Sequence, residues 1–365
     1  MKKRQSNFEA LRLTAMALVV TLHYLSKGNI LLSLTFELGW LDWAAYLLES
    51  AAFVAVNVYV LLTGYFLCQS RFRLGRLLQI VLQIWFYSLI IPLILGAVGV
   101  LDLSGLTTYD WLMLIFPLNM EHYWFMTAYV QLVLLTPLLN RAIAAMNQKQ
   151  LAAAAVLVTL PQVLFKSVLP VTFTVDDNGY GVLWFTALYL IAAYIRKYGL
   201  AFLAAKGRAA LVYLAGVLGT WAGGLVMNRV YLVTGRFSDK VGLTYGYNHI
   251  FVLIASVAFF CLFADMKSGE GRMSRVVVRL APYSLGVYLL HENVLLRYEW
   301  PVWLQVGMPG SLPQLLAEWI VKVAVVMAVG LCVDFLRSLL FKAGGKALAH
   351  TPVPGLLEKA DETVN

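Results

Sequence analysis

Charge is what this chain has least of. Asp, Glu, Lys and Arg make up 13% of its 365 residues, about half the usual share, while 61% are hydrophobic. That imbalance excludes a soluble globular protein. Cysteine is scarce too. Cys68, Cys261 and Cys332 stand far apart, within or at the ends of apolar segments, with no CxxC or Cys/His spacing. They read as core filler, and neither a disulfide framework nor a metal site is expected. The chain also lacks an HExxH pair, a GxSxG elbow, a phosphate loop and a dinucleotide fingerprint. No repeat, heptad array or low-complexity tract occurs, and the alternating ~10-residue segments of a porin-like barrel are missing.

What is present is a series of apolar stretches of ~20 residues, the length that crosses a bilayer core as a helix. The expected fold is all-α: a polytopic membrane bundle of about ten transmembrane helices, near 9–26, 43–67, 77–99, 124–143, 151–169, 182–199, 208–227, 249–265, 280–297 and 317–340. Residues 1–341 form one membrane domain, followed by a short cytoplasmic tail, 342–365, too small to fold alone. Segment 111–120 is too short to cross and reads as re-entrant, interfacial or an outer lead-in. The basic N-terminus enters its apolar run without a small-residue cleavage site, as an uncleaved first helix does.

The cations are distributed unevenly. With the N-terminus inside, all but seven of the 28 Lys and Arg fall on inner segments; the outer seven are Lys27, Lys166, Arg229, Arg236, Lys240, Arg297 and Lys322. This is the positive-inside bias, and it predicts cytoplasmic ends for both termini. The net charge of +9 therefore reports topology and contact with anionic membrane lipids. No nucleic-acid partner is expected.

Against that background a few polar residues stand out. Arg12 and His23 lie in the first apolar segment, LRLTAMALVVTLH. Eleven helical steps of ~100° return to within about 20° of the start, so both share one face, about 16 Å apart along the axis. Two such costly groups on one stripe imply a shared polar cavity. His23 is either a general base or a structural histidine bonded to a neighbouring helix. Arg73 and Arg76 in the first inner loop suit phosphate, or are ordinary loop charge. Glu121, His122 and Trp124 precede the fourth span, where they bind sugar or position a reacting group, or else belong to an aromatic belt. Ser284, Tyr288 and His291 share a stripe in YSLGVYLLH, and His291 is a functional candidate or a helix–helix hydrogen bond. Asn57 is equally ambiguous, and Asn248 with His249 is expected at the surface. Gly219 and Gly223 form a GxxxG, a weak packing signal.

Taken in order, these segments resemble the membrane acyltransferase type 3 family. Arg12, ten residues and His23 match its first-helix signature. FVAVNVYVLLTGYFL is similar to its second helix, with Thr63 where Ser is usual before Gly64 and Tyr65. Arg73 and Arg76 match an Arg-x-x-Arg, HYWFMTAYVQLVLLTPLLN resembles the Trp-Phe and Leu-Thr-Pro segment, and YSLGVYLLH resembles the late His-ending helix, with Leu285 where Phe is usual. The resemblance implies a multi-pass protein of the bacterial cytoplasmic membrane with no permanently bound cofactor. It implies acetyl-CoA or another acyl-CoA as cytoplasmic donor, and a sugar or polysaccharide hydroxyl as acceptor, with glycan-synthesis machinery as a partner. It implies that His23 is catalytic, as base or acyl relay, and that Arg12, Arg73 and Arg76 engage CoA. Trp124 and Glu121 then lie near the substrate path. Trp124, Tyr65 and Asn57 are candidate oxyanion donors and, with His291, substrate-binding candidates. The alternative is a glycan or glycolipid carrier or flippase without acyl chemistry, or a packing subunit in which His23 is silent.

Overall fold

A computed structural model describes residues 4–119, 122–168, 178–205, 207–349 and 351–364. Among these, every regular element is helical. In chain order they are α1 (Ser6–Lys27), α2 (Trp40–Ala52), α3 (Ala55–Leu67), α4 (Leu74–Trp85), a π turn (Phe86–Ile90), α5 (Ile91–Ala97), α6 (Thr108–Ile115), α7 (Trp124–Ala145) and α8 (Gln148–Ser167). There follow α9 (Val182–Tyr198), α10 (Ala201–Ala204), α11 (Arg208–Thr234), α12 (Ile250–Ala264), α13 (Arg272–Leu280), α14 (Ser284–His291), α15 (Glu299–Trp303), α16 (Leu312–Leu348) and α17 (Val353–Val364). Glu121, Lys2, Lys3, Lys206 and most of the loop 170–181 lie outside the described residues.

Among the described residues, seven helical stretches are long and apolar enough to cross a membrane: α1, α2 with α3, α4 through α5, α7, α8, α11 and α16. They coincide with seven of the ten expected spans. The stretches 182–199 and 249–265 hold shorter helices, of 17 and 15 residues. The stretch 280–297 is not one helix, because α14 ends at His291 after eight residues. Its last carbonyls and the chain beyond are taken over by side chains. Tyr123 Oη donates to the Leu289 carbonyl at 2.7 Å, Asn293 Nδ2 donates to the Tyr87 carbonyl at 2.8 Å, and the Val294 N–H donates to His122 Nε2 at 2.7 Å. A helix can stop inside apolar surroundings only where its freed backbone groups find such partners. Residue 341 falls inside α16, and α17 packs on the start of α4, where Asp361 accepts the Leu74 N–H at 2.6 Å.

Burial separates centre from rim. In α1 and in α2–α3, 61% and 72% of the apolar window is enclosed, against 22% in α8, α11 and α16. The outer helices turn Leu157, Leu211 and Leu336 outward, as lipid-facing helices do, where water would penalise them. Polar side chains anchor α1 at the centre. Asn7 Nδ2 donates to the Phe263 carbonyl at 3.0 Å, Trp319 Nε1 to Thr21 Oγ1 at 2.9 Å, and Tyr59 Oη to the Arg12 carbonyl at 3.0 Å. In α7 the Leu-Thr-Pro segment is self-consistent. Pro137 has no N–H for the Val133 carbonyl, and the Thr136 hydroxyl donates to it instead, at 2.7 Å.

Glycines set the closest helix approaches. A Cβ on Gly64 would stand 2.8 Å from Ala192 Cβ, one on Gly216 2.7 Å from the Phe251 carbonyl oxygen, and one on Gly286 2.4 Å from Asp334 Cβ. Asp334 is fully buried and held by Arg337 at 2.7 Å, Gln83 at 2.9 Å and Tyr87 at 3.0 Å, so it has nowhere to retreat. Gly64→Ala and Gly286→Ala are each expected to cost about 1–3 kcal/mol by overpacking. Gly242→Ala, at an exposed position with nothing within 4 Å, is expected to be neutral. Thermal unfolding in detergent checks the contrast, and equal midpoints for all three would refute close packing at these positions.

Candidate active site

His23 lies in the penultimate turn of α1, one turn before Lys27, so the two side chains leave the helix on one face. Facing them is the broken end of α14. His23 Nδ1 lies 2.8 Å from His291 Nε2 and 3.4 Å from a Glu292 carboxylate oxygen, and Lys27 Nζ pairs with the same oxygen. His291 Nδ1 sits 2.6 Å from the Val287 carbonyl. A carbonyl only accepts, so in neutral His291 the proton is on Nδ1 and Nε2 is the acceptor. His23 then donates from Nδ1. Its Nε2 is left as a lone pair with no protein partner among the described residues.

His23 lines a cavity of about 420 Å³ together with Lys27, Glu292, Arg297, Glu49, Trp124 and several tyrosines, a volume usual for small-ligand sites. Arg297 Nε and the Tyr288 hydroxyl are buried there without a hydrogen-bond partner among the described residues. Both are donors. Lys27 and Arg297, counted as outer-side charge in the sequence, are thus cavity groups.

Arg12 does not share this cavity. It lines a second one of about 340 Å³ with Thr63, Ile80, Gln83 and Ser284. Tyr59, Phe125 and Leu285 border both cavities, so the expected single chamber is divided by side chains from α3, α7 and α14. Tyr59 is tied to the α1 backbone by its bond to the Arg12 carbonyl. Arg12 Nε lies 3.5 Å from Glu9. Arg73 and Arg76 are exposed at the start of α4, outside both cavities. Arg76, Ile80 and Gln83 follow the i, i+4, i+7 rule, so Arg76 continues the stripe of α4 that borders the second cavity.

The other candidates divide clearly. Trp124 opens α7 and borders the main cavity, with ring centroids 4.2 Å from Tyr180 and 5.9 Å from Tyr247. His291 stands behind His23. Asn57 is fully buried away from the cavity. Its amide accepts from Trp184 Nε1 at 2.9 Å and donates to the Tyr247 carbonyl at 2.8 Å and Ser256 Oγ at 3.2 Å. Tyr65 accepts from Arg196 at 3.0 Å and packs on Phe8 and Phe260, away from both cavities. Asn248 and His249, expected at the surface, are buried instead. His249 caps α12, accepting the Phe251 N–H at 3.3 Å, because a helix start inside the bundle needs an acceptor. Tyr288 is one of the stripe residues read from the sequence and Glu292 directly follows His291, whereas nothing in the sequence marks Arg297 or Glu49 as site residues.

A metal fits this cluster poorly. His23, His291 and Glu292 offer ligand atoms within 4.8 Å of one another. Two imidazole nitrogens on tetrahedral zinc stand about 3.3 Å apart, whereas these two are at hydrogen-bond distance and Lys27 already occupies Glu292.

The sequence comparison decides the family. The acyltransferase domain family matches residues 5–336. The chain belongs to the membrane acyltransferase type 3 family. No curated protein and no solved structure matches it. This acyltransferase therefore carries, inside its family domain, an ion pair and one histidine, His23, at the wall of its larger cavity, with His291 bonded behind it.

Removing one partner of that ion pair leaves a buried charge. Glu292→Ala is expected to lower the stability of the acyltransferase by about 3–5 kcal/mol, and Lys27→Met with Glu292→Leu to recover most of it. Denaturation midpoints of the single and double variants in one detergent check this. A double variant no better than the single would place the loss elsewhere.

Proposed function

We propose that the acyltransferase moves an acyl group, in the simplest case acetyl, from a cytoplasmic acyl-CoA to a sugar hydroxyl of a cell-surface polysaccharide or lipid-linked sugar. The observation that carries this reading is the free Nε2 of His23 at the wall of the larger cavity, with Nδ1 engaged behind it. In this reading the bacterial cytoplasmic membrane is its location. CoA phosphates pair with Arg73, Arg76 and Arg12, and the thioester arm enters by the Arg12 cavity. It passes Phe125 and Leu285 to reach His23.

His23 Nε2 takes the proton of the acceptor hydroxyl, and the oxygen attacks the thioester carbonyl carbon. The tetrahedral oxyanion meets the unpaired donors Arg297 Nε and Tyr288 Oη, with Trp124 Nε1 on the same wall. Asn57 and Tyr65 have their polar groups committed elsewhere and are not needed. Such donors are worth about 3–4 kcal/mol of barrier each. The C–S bond then breaks, and the leaving CoA sulfur recovers the proton from the His23 imidazolium, whose charge Glu292 balances. The same free nitrogen serves the covalent route, in which Nε2 attacks the thioester carbonyl and the C–S bond breaks with CoA leaving as thiolate. The acceptor oxygen then displaces the imidazole from the acyl-histidine while its proton goes to the CoA sulfur.

His23→Ala is expected to lower acyl transfer at least ~100-fold by loss of general-base catalysis. Arg73→Ala/Arg76→Ala is expected to raise KM for acetyl-CoA with a smaller change in kcat, since uniform binding is lost. Steady-state turnover of purified protein in nanodiscs measures both. Near-normal kcat in the His23 variant sinks the assignment.

A further inference from the structure

One acidic group of the larger cavity, Glu49, has no part in the transfer chemistry above. Glu49, in the last turn of α2, lines this cavity together with Trp124, Tyr180 and Tyr247. Its carboxylate has no ion pair and no hydrogen bond among the described residues, although its backbone carbonyl accepts from Phe53 at 2.9 Å. Around it stand aromatic rings: Trp124 to Tyr180 at 4.2 Å, Tyr180 to Tyr247 at 5.3 Å, Phe53 to Tyr247 at 4.9 Å and Phe53 to Tyr245 at 5.8 Å. A carboxylate that faces a cavity with no partner among the described residues is free to accept hydrogen bonds from what enters it.

Two ligand chemistries combine a carboxylate with aromatic rings. An ammonium ligand wants ring faces turned to one point and no competing cation. Here the rings pack on one another as a continuous wall, and Lys27 and Arg297 share the cavity. A pyranose ring instead offers a C–H face for stacking and vicinal hydroxyls that a carboxylate can accept in pairs. We infer that Glu49, with Trp124, Tyr180 and Tyr247, forms the subsite that holds the acceptor as a hexopyranoside, Glu49 accepting hydrogen bonds from hydroxyls remote from the one that reacts. This rests on the transfer reading above and adds to it the residue that reads the sugar.

The test uses full-length protein in nanodiscs with a panel of methyl and p-nitrophenyl hexopyranosides and N-acetylhexosaminides, and choline as the ammonium control. Binding is followed by tryptophan fluorescence, transfer from acetyl-CoA by mass spectrometry, and acetyl-CoA breakdown without glycoside as a separate readout. Wild type is expected to bind at least one glycoside, and Glu49→Gln and Glu49→Ala to weaken that binding about tenfold or more, as loss of charge-assisted hydrogen bonds does. Acetyl-CoA breakdown without glycoside is expected to stay unchanged, and the melting temperature of the empty variants to hold or rise. A merely structural Glu49 would lower the melting temperature and acetyl-CoA breakdown together. Glu49→Gln binding glycosides as wild type does, wild type binding none of the panel, or a response to choline alone would overturn the subsite. Absence of acetyl-CoA breakdown in wild type would instead strike the transfer reading, leaving the binding arm to judge the subsite.

Discussion

Two histidines 268 residues apart, joined by a hydrogen bond and backed by a buried Lys27–Glu292 pair, tie α1 to the broken end of α14. Much of the bundle's centre is arranged to make that meeting possible. α14 must stop where it does, so that Glu292 turns toward Lys27 rather than continuing along a helix. That stop is tolerated because Tyr123, His122 and Asn293 partner backbone groups the helix leaves unpaired: the Leu289 carbonyl, the Val294 N–H and the Leu295 N–H. In a low-dielectric interior each unmet group would cost as much as several good contacts return.

Small residues do the complementary work. Gly286 lets α14 lie against Asp334 of α16, and Gly64 lets α3 lie against α9. The π turn after α4 directs Tyr87 to Asp334 and Ser88 to the Leu114 carbonyl, so the same short segment braces both the charged core and α6. The cavities are what remains between helices held at these distances. Their common wall of Tyr59, Phe125 and Leu285 separates an arginine-lined space from a histidine-lined one.

Much of the fold was legible in the chain. Seven expected spans are long apolar helices because a bilayer demands uninterrupted hydrogen bonding and hydrophobic length, and both are visible residue by residue. Periodicity was enough to place Arg12 and His23 on one face. It was not enough to show that Tyr59, Phe125 and Leu285 would come between them. Asn57 looked available because a buried amide is conspicuous, but its partners Trp184, Ser256 and Tyr247 are more than 120 residues away. Asn248 and His249 looked superficial because they precede a span, yet that span begins inside the bundle.

The sequence by itself determined that this is a helical membrane protein, where its principal spans run, and which family it belongs to. Those properties depend on composition, length and local spacing. Only the tertiary structure decided that Glu292 and Lys27 stand beside His23, and that, among the described residues, His23 Nε2 and the Glu49 carboxylate face the same cavity without a partner. Each of these depends on the rotation and depth of one helix against another. No local pattern encodes that, because it is set by the packing of side chains distant in the chain.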